Sequence, residues 1–364
     1  MKRRHFVGGL AAAAGVAACS TEAPDCTEGT ASSQERFEWS CVTSWPPKYP
    51  GMGMGVENLA TRIEAASAGR LKIKVYGGGE LVPAFEVFDA VSRGTVEMGH
   101  DASYYHKGKV DAAQFFTAIP FGMNMLELNG WLYYGGGLEL WRELYEPFNL
   151  MPIPCGNTGV QMGGWFNKEI NSPADLQGLK MRIPGLGGEV LRRAGGTPVT
   201  LPGAEIFTSL QTGAIDATEW VGAYNDVSFG LHKAAKYYYY PGWHEPGPGL
   251  ETMINKEAWE SLPPDLQAIV ETTCQAITTD MVAEYTHGNA YAVQQLVEDP
   301  DVELRKFPQE VLDVLKSITD EIVAEWLADD PAAKKIADSY YAFLEKSAYG
   351  QVVTEQAYLE TRTS

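Results

Sequence analysis

The stretch Leu179–Gly185, LKMRIPG, has the pattern of a short strand that ends abruptly. Its three alternating apolar residues would share one face of the strand, which places Arg182 on the opposite face. Pro184 and the glycines that follow it end the strand. Since open α/β sheets bind ligands at the carboxyl ends of their strands, Arg182 is predicted to stand in a binding cleft. Its guanidinium is a forked donor that suits a small carboxylate.

Two more polar residues near this strand have similarly apolar surroundings. Gln161 lies in the predicted strand Val160–Phe166, and Glu219 lies in the predicted strand Ile215–Trp220. Together with Arg182 they are the candidate ligand groups of this part of the chain.

The chain before residue 157 alternates strands and helices. Strands are predicted at Phe37–Thr43, Leu71–Tyr76 and Val96–His100, with helices at Gly55–Ala68 and Glu86–Ser92 between them. A β-α-β-α-β start is typical of a doubly wound α/β sheet.

The pattern predicts two α/β lobes followed by long helices. Met151–Cys155 and Tyr237–Glu245 are predicted to cross between the lobes. A long helical tail needs a partner surface, either its own lobes or another subunit. The predicted division is lobe I at 37–155 plus 245–309, lobe II at 156–244, and C-terminal helices at 310–364. The tail helices are predicted at Pro308–Ala328, Pro331–Ser347 and Ser347–Thr361.

Composition narrows the class of protein. With 364 residues, 45% of them hydrophobic and 21% charged, the chain is long enough for two globular domains. A net charge of −19 argues against nucleic acid and anionic membrane surfaces as partners. An anionic ligand therefore needs a local cationic group, which Arg182 provides.

The amino terminus has the pattern of an export signal. Residues 1–18 have a basic start with a twin-arginine-like pair and then a run of small apolar residues. Val16–Cys19, VAAC, resembles a bacterial lipobox in which Cys19 is lipidated, although an ordinary secretory signal with an incidental cysteine is the alternative. Residues 19–36 are predicted to be a flexible tether. The predicted location is the periplasm, with a lipid anchor at Cys19.

The other cysteines and the histidines support neither a zinc site nor a catalytic site. No CxxC, CxxH or HExxH spacing occurs, and there is no GxSxG sequence. An oxidising compartment permits one or two disulfides, whose pairing the sequence does not assign. The cysteines concerned are Cys26, Cys41, Cys155 and Cys274.

Three segments resemble the substrate-binding proteins of tripartite ATP-independent periplasmic (TRAP) transporters. They are Lys180–Gly185 (KMRIPG), Gly203–Ala217 (GAEIFTSLQTGAIDA) and the pair Glu219-Trp220. The likeness extends over about residues 37–361, and GWFN at 164–167 and GWHE at 242–245 resemble the branch that binds 2-keto acids and lactate.

The resemblance implies a fold and a function. The fold is an α/β, two-lobed fold like that of periplasmic binding proteins, with hinge-crossing strands and long C-terminal helices. The function is that of an extracytoplasmic solute-binding subunit that captures a 2-oxo or 2-hydroxy monocarboxylate, such as pyruvate or lactate, with a metal cation. The implied partners are the membrane subunits of a TRAP transporter and a second copy of the chain.

The resemblance also implies roles for single residues. Arg182 pairs with the substrate carboxylate, and Gln161 contacts both substrate and metal. Glu219, the main-chain oxygen of Trp220, and Glu245 are the remaining metal or substrate ligands. A cation between these oxygens and the ligand would also relieve the partial cancellation of Arg182 by Glu219. Two acids and a neutral amide leave both sodium and calcium open.

A secreted metal-dependent enzyme acting on a small carboxylate or acidic sugar is the alternative hypothesis. It requires a general base near the metal, for which only His244 and Glu245 are available. Because the chain lacks a catalytic motif, a binding protein is the favoured prediction.

Overall fold

A computed structural model describes residues 35–363 of the chain. The predicted export signal, the lipidation site Cys19 and nearly all of the predicted tether lie outside the described residues. Within residues 35–363, none of the helices combines the length and apolar character that crossing a membrane requires.

The described residues form two β-sheets with helices packed around them. The first sheet has five strands in the order β2-β1-β3-β10-β4, and the second has six in the order β11-β9-β5-β8-β6-β7. The strands are β1 Phe37–Thr43, β2 Leu71–Tyr76, β3 Met98–Asp101, β4 Leu150–Asn157, β5 Gly164–Phe166, β6 Lys180–Arg182, β7 Thr197–Val199, β8 Ala217–Thr218, β9 Tyr237–Tyr240, β10 Gly249–Asn255 and β11 Glu303–Lys306.

Helices account for most of the remaining chain. Short 3-10 turns also occur, of which Ser103–His106 is important for the site. The α-helices are α1 Met52–Ala66, α2 Val87–Ser92, α3 Met125–Tyr134, α4 Gly137–Tyr145, α5 Gly185–Arg193, α6 Gly203–Gln211, α7 Ala223–Phe229, α8 Lys256–Ser261, α9 Pro264–Glu298, α10 Gln309–Asp329, α11 Pro331–Gln351 and α12 Ala357–Thr363.

The predicted β-α-β-α-β start is confirmed in the first sheet. Strand β1 is parallel to both β2 and β3, with α1 and α2 as the crossovers. Helix α1 buries Val56, Leu59 and Ile63, whose spacing places them on one face. Strand β10 then lies antiparallel between β3 and β4. Consequently the carboxyl ends of β1, β3 and β4 and the amino end of β10 meet at one edge.

Two strands of the second sheet are shorter than the sequence predicts. The predicted strand Val160–Phe166 begins only at Gly164, because the preceding backbone leaves the ladder: Gln161 N donates to Glu245 O at 3.2 Å. The predicted strand Ile215–Trp220 comprises only Ala217–Thr218. Glu219 is therefore one residue past the strand instead of within it.

Strand β11 corrects the predicted division between the lobes. The sequence predicts residues 303–306 to belong to lobe I with 245–309, but they pair in parallel with β9 of the second sheet. The physical reason is helix α9, whose 35 residues extend about 50 Å at 1.5 Å per residue. It packs on α1 and β4 near the first sheet and on α7 and β11 near the second, so the chain is carried from one sheet to the other.

Helix α11 packs on the aromatic segment that precedes β4. Tyr340 of α11 contacts the rings of Phe115 and Trp131, and its hydroxyl accepts a hydrogen bond from Met123 N at 2.7 Å. The predicted helix boundary at Ser347 is wrong, because α11 continues to Gln351 and a π-helical turn joins it to α12.

Candidate functional site

The register of the second sheet places Arg182 beside Glu219. Strands β6 and β8 are parallel neighbours in which Arg182 lies opposite Thr218. The next residue, Glu219, therefore leaves the sheet at the same edge. Arg182 Nη1 donates to Glu219 Oε1, and the two side chains are 1% and 0% exposed. Arg182 Nε also donates to Leu201 O at 3.2 Å.

The loops beside the neighbouring strands β5 and β9 bring three more residues to this edge: Gln161, His244 and Glu245. Strand β5 is antiparallel to both β8 and β9, so its amino end lies beside the carboxyl end of β9. The backbones of the two loops bond directly, with Gly242 N donating to Gln161 O at 3.0 Å. A Cβ at Gly242 would lie 2.2 Å from that oxygen, so only glycine permits the approach.

Asp226 holds the loop that carries Glu219 and Trp220. Its buried carboxylate accepts hydrogen bonds from Trp165 Nε1 at 3.0 Å, Tyr238 Oη at 2.8 Å and Val221 N at 3.3 Å. Among the described residues, no hydrogen bond ends on the Trp220 carbonyl oxygen. The loop therefore presents a free main-chain acceptor near Glu219.

Several buried polar atoms of this site have no hydrogen-bond partner among residues 35–363. Three of the five side chains contribute oxygen acceptors, Arg182 contributes a donor, and the neutral His244 ring contributes one donor and one acceptor. The atoms are Gln161 Oε1, Arg182 Nη2, Glu219 Oε2, both ring nitrogens of His244 and Glu245 Oε2. Leaving such groups unpaired costs about 1–3 kcal/mol each, more when they are charged. A bound cation would satisfy the oxygens and an anion would satisfy the guanidinium.

The electrostatics of the site also call for a cation. Ligand atoms of Glu219, His244 and Glu245 lie within 4.8 Å of one another, all buried. Burial raises the pKa of Glu245 well above its ordinary value, the charge of Glu219 raises it further, and Arg182 opposes the shift. One arginine thus does not neutralise both acids, and the donor set suits a hard cation such as sodium or calcium.

Two cavities share Tyr104 and Tyr105 as lining residues. One is an open groove of about 500 Å³ that extends along α5. The other is a small space of about 10 Å³, close to the minimum for one water molecule. Gln161, Trp220 and Glu245 line the small cavity on the second-sheet side. Its first-sheet lining consists of Trp45, Met52, Pro248 and Leu250.

The sequence pattern misses two residues of the site. His244 is 2% exposed, with Nε2 located 3.4 Å from Glu219 Oε2; no sequence pattern indicates it as a ligand residue. Asp226 follows Asn225 at the start of α7, where a helix-capping role would be the ordinary interpretation. Its contacts across β5 and β9 could be found only in three dimensions.

A second buried group of acids and histidine lies behind the turn Ser103–His106. His106 Nε2 is 3.2 Å from Glu251 Oε1 and 3.4 Å from Asp101 Oδ1. Tyr145 Oη donates to the same Glu251 oxygen at 3.1 Å. Burial lowers the pKa of His106, but the charge of Asp101 and the contacts with Glu251 outweigh burial and raise the pKa to about 9.

A sequence comparison matches most of the chain to one protein family. The model for "bacterial extracellular solute-binding protein, family 7" matches residues 41–330. A monocarboxylate 2-oxoacid-binding periplasmic protein of Nostoc sp. is 42% identical over 362 residues, which covers 98% of each chain.

Solved structures of similar sequence share the fold. A TRAP periplasmic solute-binding protein of Pseudoalteromonas atlantica, with bound sodium and pyruvate, is 43% identical with a TM-score of 0.87, covering 90% of this chain and 99% of that one. A TRAP transporter solute-binding protein of Bordetella bronchiseptica, a mixed-occupancy dimer with copurified calcium and picolinate, is 40% identical with a TM-score of 0.88, covering 90% and 97%. These matches confirm the two-lobed α/β fold with long C-terminal helices.

Proposed function

This chain belongs to family 7 of the bacterial extracellular solute-binding proteins, and we propose that it captures a 2-oxo or 2-hydroxy monocarboxylate together with a metal cation and delivers it to a TRAP transporter. The family is one of binding proteins, which agrees with the prediction that the chain is not an enzyme. The observation that carries the ligand assignment is the group of unpartnered buried atoms around Arg182 and Glu219.

Arg182 holds the carboxylate of the ligand in this proposal. Its Nη1 bonds to Glu219, whereas Nη2 has no partner among the described residues. Nη2 is therefore the donor available to an incoming anion, and a charge-assisted bond in a buried site is strong. The bond to Glu219 and the bond to Leu201 O keep the guanidinium oriented before the ligand binds.

Four oxygen donors hold the cation. They are Gln161 Oε1, the Glu219 carboxylate, the Trp220 carbonyl and the Glu245 carboxylate, where Gln161 and Glu245 also contact the substrate. The cation supplies positive charge that Arg182 alone does not, because Glu219 and Glu245 are buried together. Oxygen-only donors suit sodium and calcium, and the substrate's own oxygens complete the shell.

Isothermal titration of the mature protein with pyruvate tests this function. The protein is first treated with a chelator and then titrated in sodium, in calcium, and without added metal. We expect one-to-one binding that requires one of the two cations and whose affinity identifies it. Absence of pyruvate and lactate binding in every ion would refute the ligand class, and equal affinity with and without metal would refute the co-bound cation.

The alternative of a secreted metal-dependent enzyme has no support from the family. It would also require His244 or Glu245 as a general base, and Glu245 is needed here as a ligand. NMR of pyruvate or lactate incubated with the metal-loaded protein tests this alternative, and formation of a product would support it.

The proposal extends to a homodimer formed through the C-terminal helices. Beyond residue 348 the chain continues as a helix whose apolar side chains face solvent, with Tyr349, Val353 and Tyr358 at 73%, 52% and 61% exposure. Burial of these exposed side chains against a second copy would be favourable. Light scattering at micromolar concentration should give twice the chain mass, and Tyr349→Ser with Tyr358→Ser should shift the protein toward monomer. A monomeric wild type would contradict this.

The periplasmic location follows the family, whereas the lipid anchor at Cys19 is a proposal that rests on the VAAC sequence. Mass spectrometry of protein from membranes should find a lipid-modified amino terminus at Cys19. A free mature amino terminus in the soluble periplasmic fraction would exclude the anchor.

A further inference from the structure

The small cavity has an apolar side that the proposed ligand contacts do not use. Its members belong to the first sheet or follow its strands: Trp45 comes after β1, Met52 begins α1, and Leu250 lies in β10. A 2-oxo acid presents its carboxylate and oxo oxygens at one end, where Arg182 and the cation hold them. With its polar end held by the proposed contacts, its alkyl group would point toward this apolar side.

Trp45 is held in place by a buried chain of hydrogen bonds. Trp45 Nε1 donates to His100 Nδ1 at 2.9 Å, and His100 Nε2 lies 2.7 Å from Cys155 O. An indole N–H can only donate, so His100 Nδ1 is the acceptor and the imidazole proton is on Nε2, which donates to the carbonyl. The indole is thereby connected to β3 through His100 and to β4 through Cys155.

The neighbouring members of this side are also constrained. The backbone before Met52 is fixed because Gly51 N donates to Glu284 Oε1 at 2.9 Å. Leu250 lies at a bulge of β10, between Gly249 and Glu251, which are both paired with β4. Trp45 itself is 2% exposed and lies 6.1 Å from the ring of Tyr105. The hydrogen bond to His100 therefore makes Trp45 the member of this wall that resists displacement by a larger ligand.

We infer that the Trp45 indole, positioned by His100, limits the length of the ligand's alkyl group and makes the protein selective for the shortest 2-oxo acids. This inference rests on the proposed function. Trp45 contacts the alkyl group, and His100 acts as a positioning residue through Trp45. One methylene in an apolar pocket changes affinity by about 10- to 200-fold, so a fixed wall is sufficient for strong selection.

The test is the affinity for a straight-chain series of pyruvate, 2-oxobutanoate and 2-oxopentanoate in the cation that supports pyruvate binding. In the wild type, 2-oxopentanoate should bind at least about 10-fold more weakly than pyruvate. Trp45→Phe, which shortens the wall, should reduce that ratio by about 10-fold. His100→Ala should reduce it too, although His100 does not line the cavity. Trp326→Phe, a tryptophan of α10 outside the cavity lining, is the matched control and should keep the wild-type ratio.

The ratio of the affinities for pyruvate and 2-oxopentanoate distinguishes failure of this inference from failure of the proposed function. If the wild type binds none of the three acids in any cation, the proposed function fails. If it binds pyruvate but Trp45→Phe and His100→Ala keep the wild-type ratio, the inference fails while the function stands. Thermal melting checks that each variant is folded, because His100→Ala leaves the Trp45 N–H unpaired. Should Trp45→Phe or His100→Ala not fold, Met52→Ala tests the same wall, and an unchanged ratio there would overturn the inference.

Discussion

The 3-10 turn Ser103–His106 lies between two buried groups of acids and histidine. Tyr104 lines the small cavity beside Glu245, whereas His106 bonds to Glu251 on the other side of the turn. We call them the ligand cluster (Arg182, Glu219, His244, Glu245) and the structural cluster (Asp101, His106, Glu251). Each contains three side chains whose ligand atoms lie within 4.8 Å of one another, so proximity alone does not distinguish them.

The two clusters differ in charge balance and in access. In the structural cluster His106 lies between both acids. Burial raises the pKa of Glu251 to about 7, so the Glu251 carboxylate readily takes up a proton. Asp101 Oδ1 and Glu251 Oε2 have no hydrogen-bond partner there, yet none of the described cavities is lined by either residue. The ligand cluster has two acids, one of them paired with Arg182, and borders a cavity. The ligand cluster is therefore distinguished from the structural cluster by acidic groups that lack a balancing positive charge and by the cavity beside them.

The largest expected effect is at Arg182. Arg182→Ala should weaken pyruvate binding by more than about 100-fold, roughly 3 kcal/mol, because it removes the only guanidinium of the ligand cluster and leaves Glu219 unpaired. Isothermal titration measures the affinity, and the ligand-induced rise in melting temperature should disappear. Arg192→Ala, on the exposed face of α5, is the control. Pyruvate binding retained by folded Arg182→Ala would remove the basis for treating this cluster as the ligand site.

The next effect concerns the cation. Glu219→Gln should weaken pyruvate binding in calcium by about 10- to 100-fold, because the affinity of an oxygen site for calcium follows the number of charged ligands. Titrations at several calcium concentrations measure the shift. Glu260→Gln, an exposed residue of α8, should behave as wild type. If Glu219→Gln kept the wild-type dependence on calcium, the cation would have to be held elsewhere.

The structural cluster should affect stability and its pH dependence. The folded pKa of His106 is about 9, above its ordinary 6.5, so its stabilisation is complete below pH 6.5 and is lost as pH rises through about 9. His106→Gln should lower the free energy of unfolding by about 2–3 kcal/mol at pH 6 and by much less at pH 10. Denaturant titrations at both pH values measure the free energy of unfolding. The control is His287→Gln, at an exposed position of α9. If His106→Gln lowered the free energy of unfolding equally at both pH values, His106 would not be stabilised as an imidazolium by Asp101 and Glu251.

The smallest effect is expected at the mouth of the open groove. Lys107 Nζ lies 3.4 Å from Gly185 O and 4.0 Å from a Glu189 carboxylate oxygen. Exposed ion pairs contribute about 0–1 kcal/mol, so Lys107→Ala should change pyruvate affinity less than about threefold. A loss of more than 10-fold in the titration would mean that the groove, and not the ligand cluster alone, determines affinity.

Much of the ligand cluster could be located from local sequence. The alternation that ends at Pro184 placed Arg182 at the end of a strand, and the pattern around Ala217 placed Glu219 close to another strand end. The pattern of Val160–Phe166 also indicated Gln161, and the resemblance added Trp220 and Glu245. The structure brings all five residues to one edge of the second sheet. Local patterns succeed here because strand ends are encoded by short-range periodicity and by proline and glycine.

Only the tertiary structure decided which strands are neighbours, and therefore which distant residues meet. The pairing of β5 with β8 and β9 brings Asp226 to the loop that carries Glu219 and brings His244 to Glu219 itself. Strands β3 and β4 supply His100 and Cys155, which connect Trp45 to the first sheet. The pairing of residues 303–306 with β9 of the second sheet is likewise a contact between distant parts of the chain. Hydrophobic periodicity records which face of an element is buried, but the order of strands depends on the packing of whole layers, to which every element contributes.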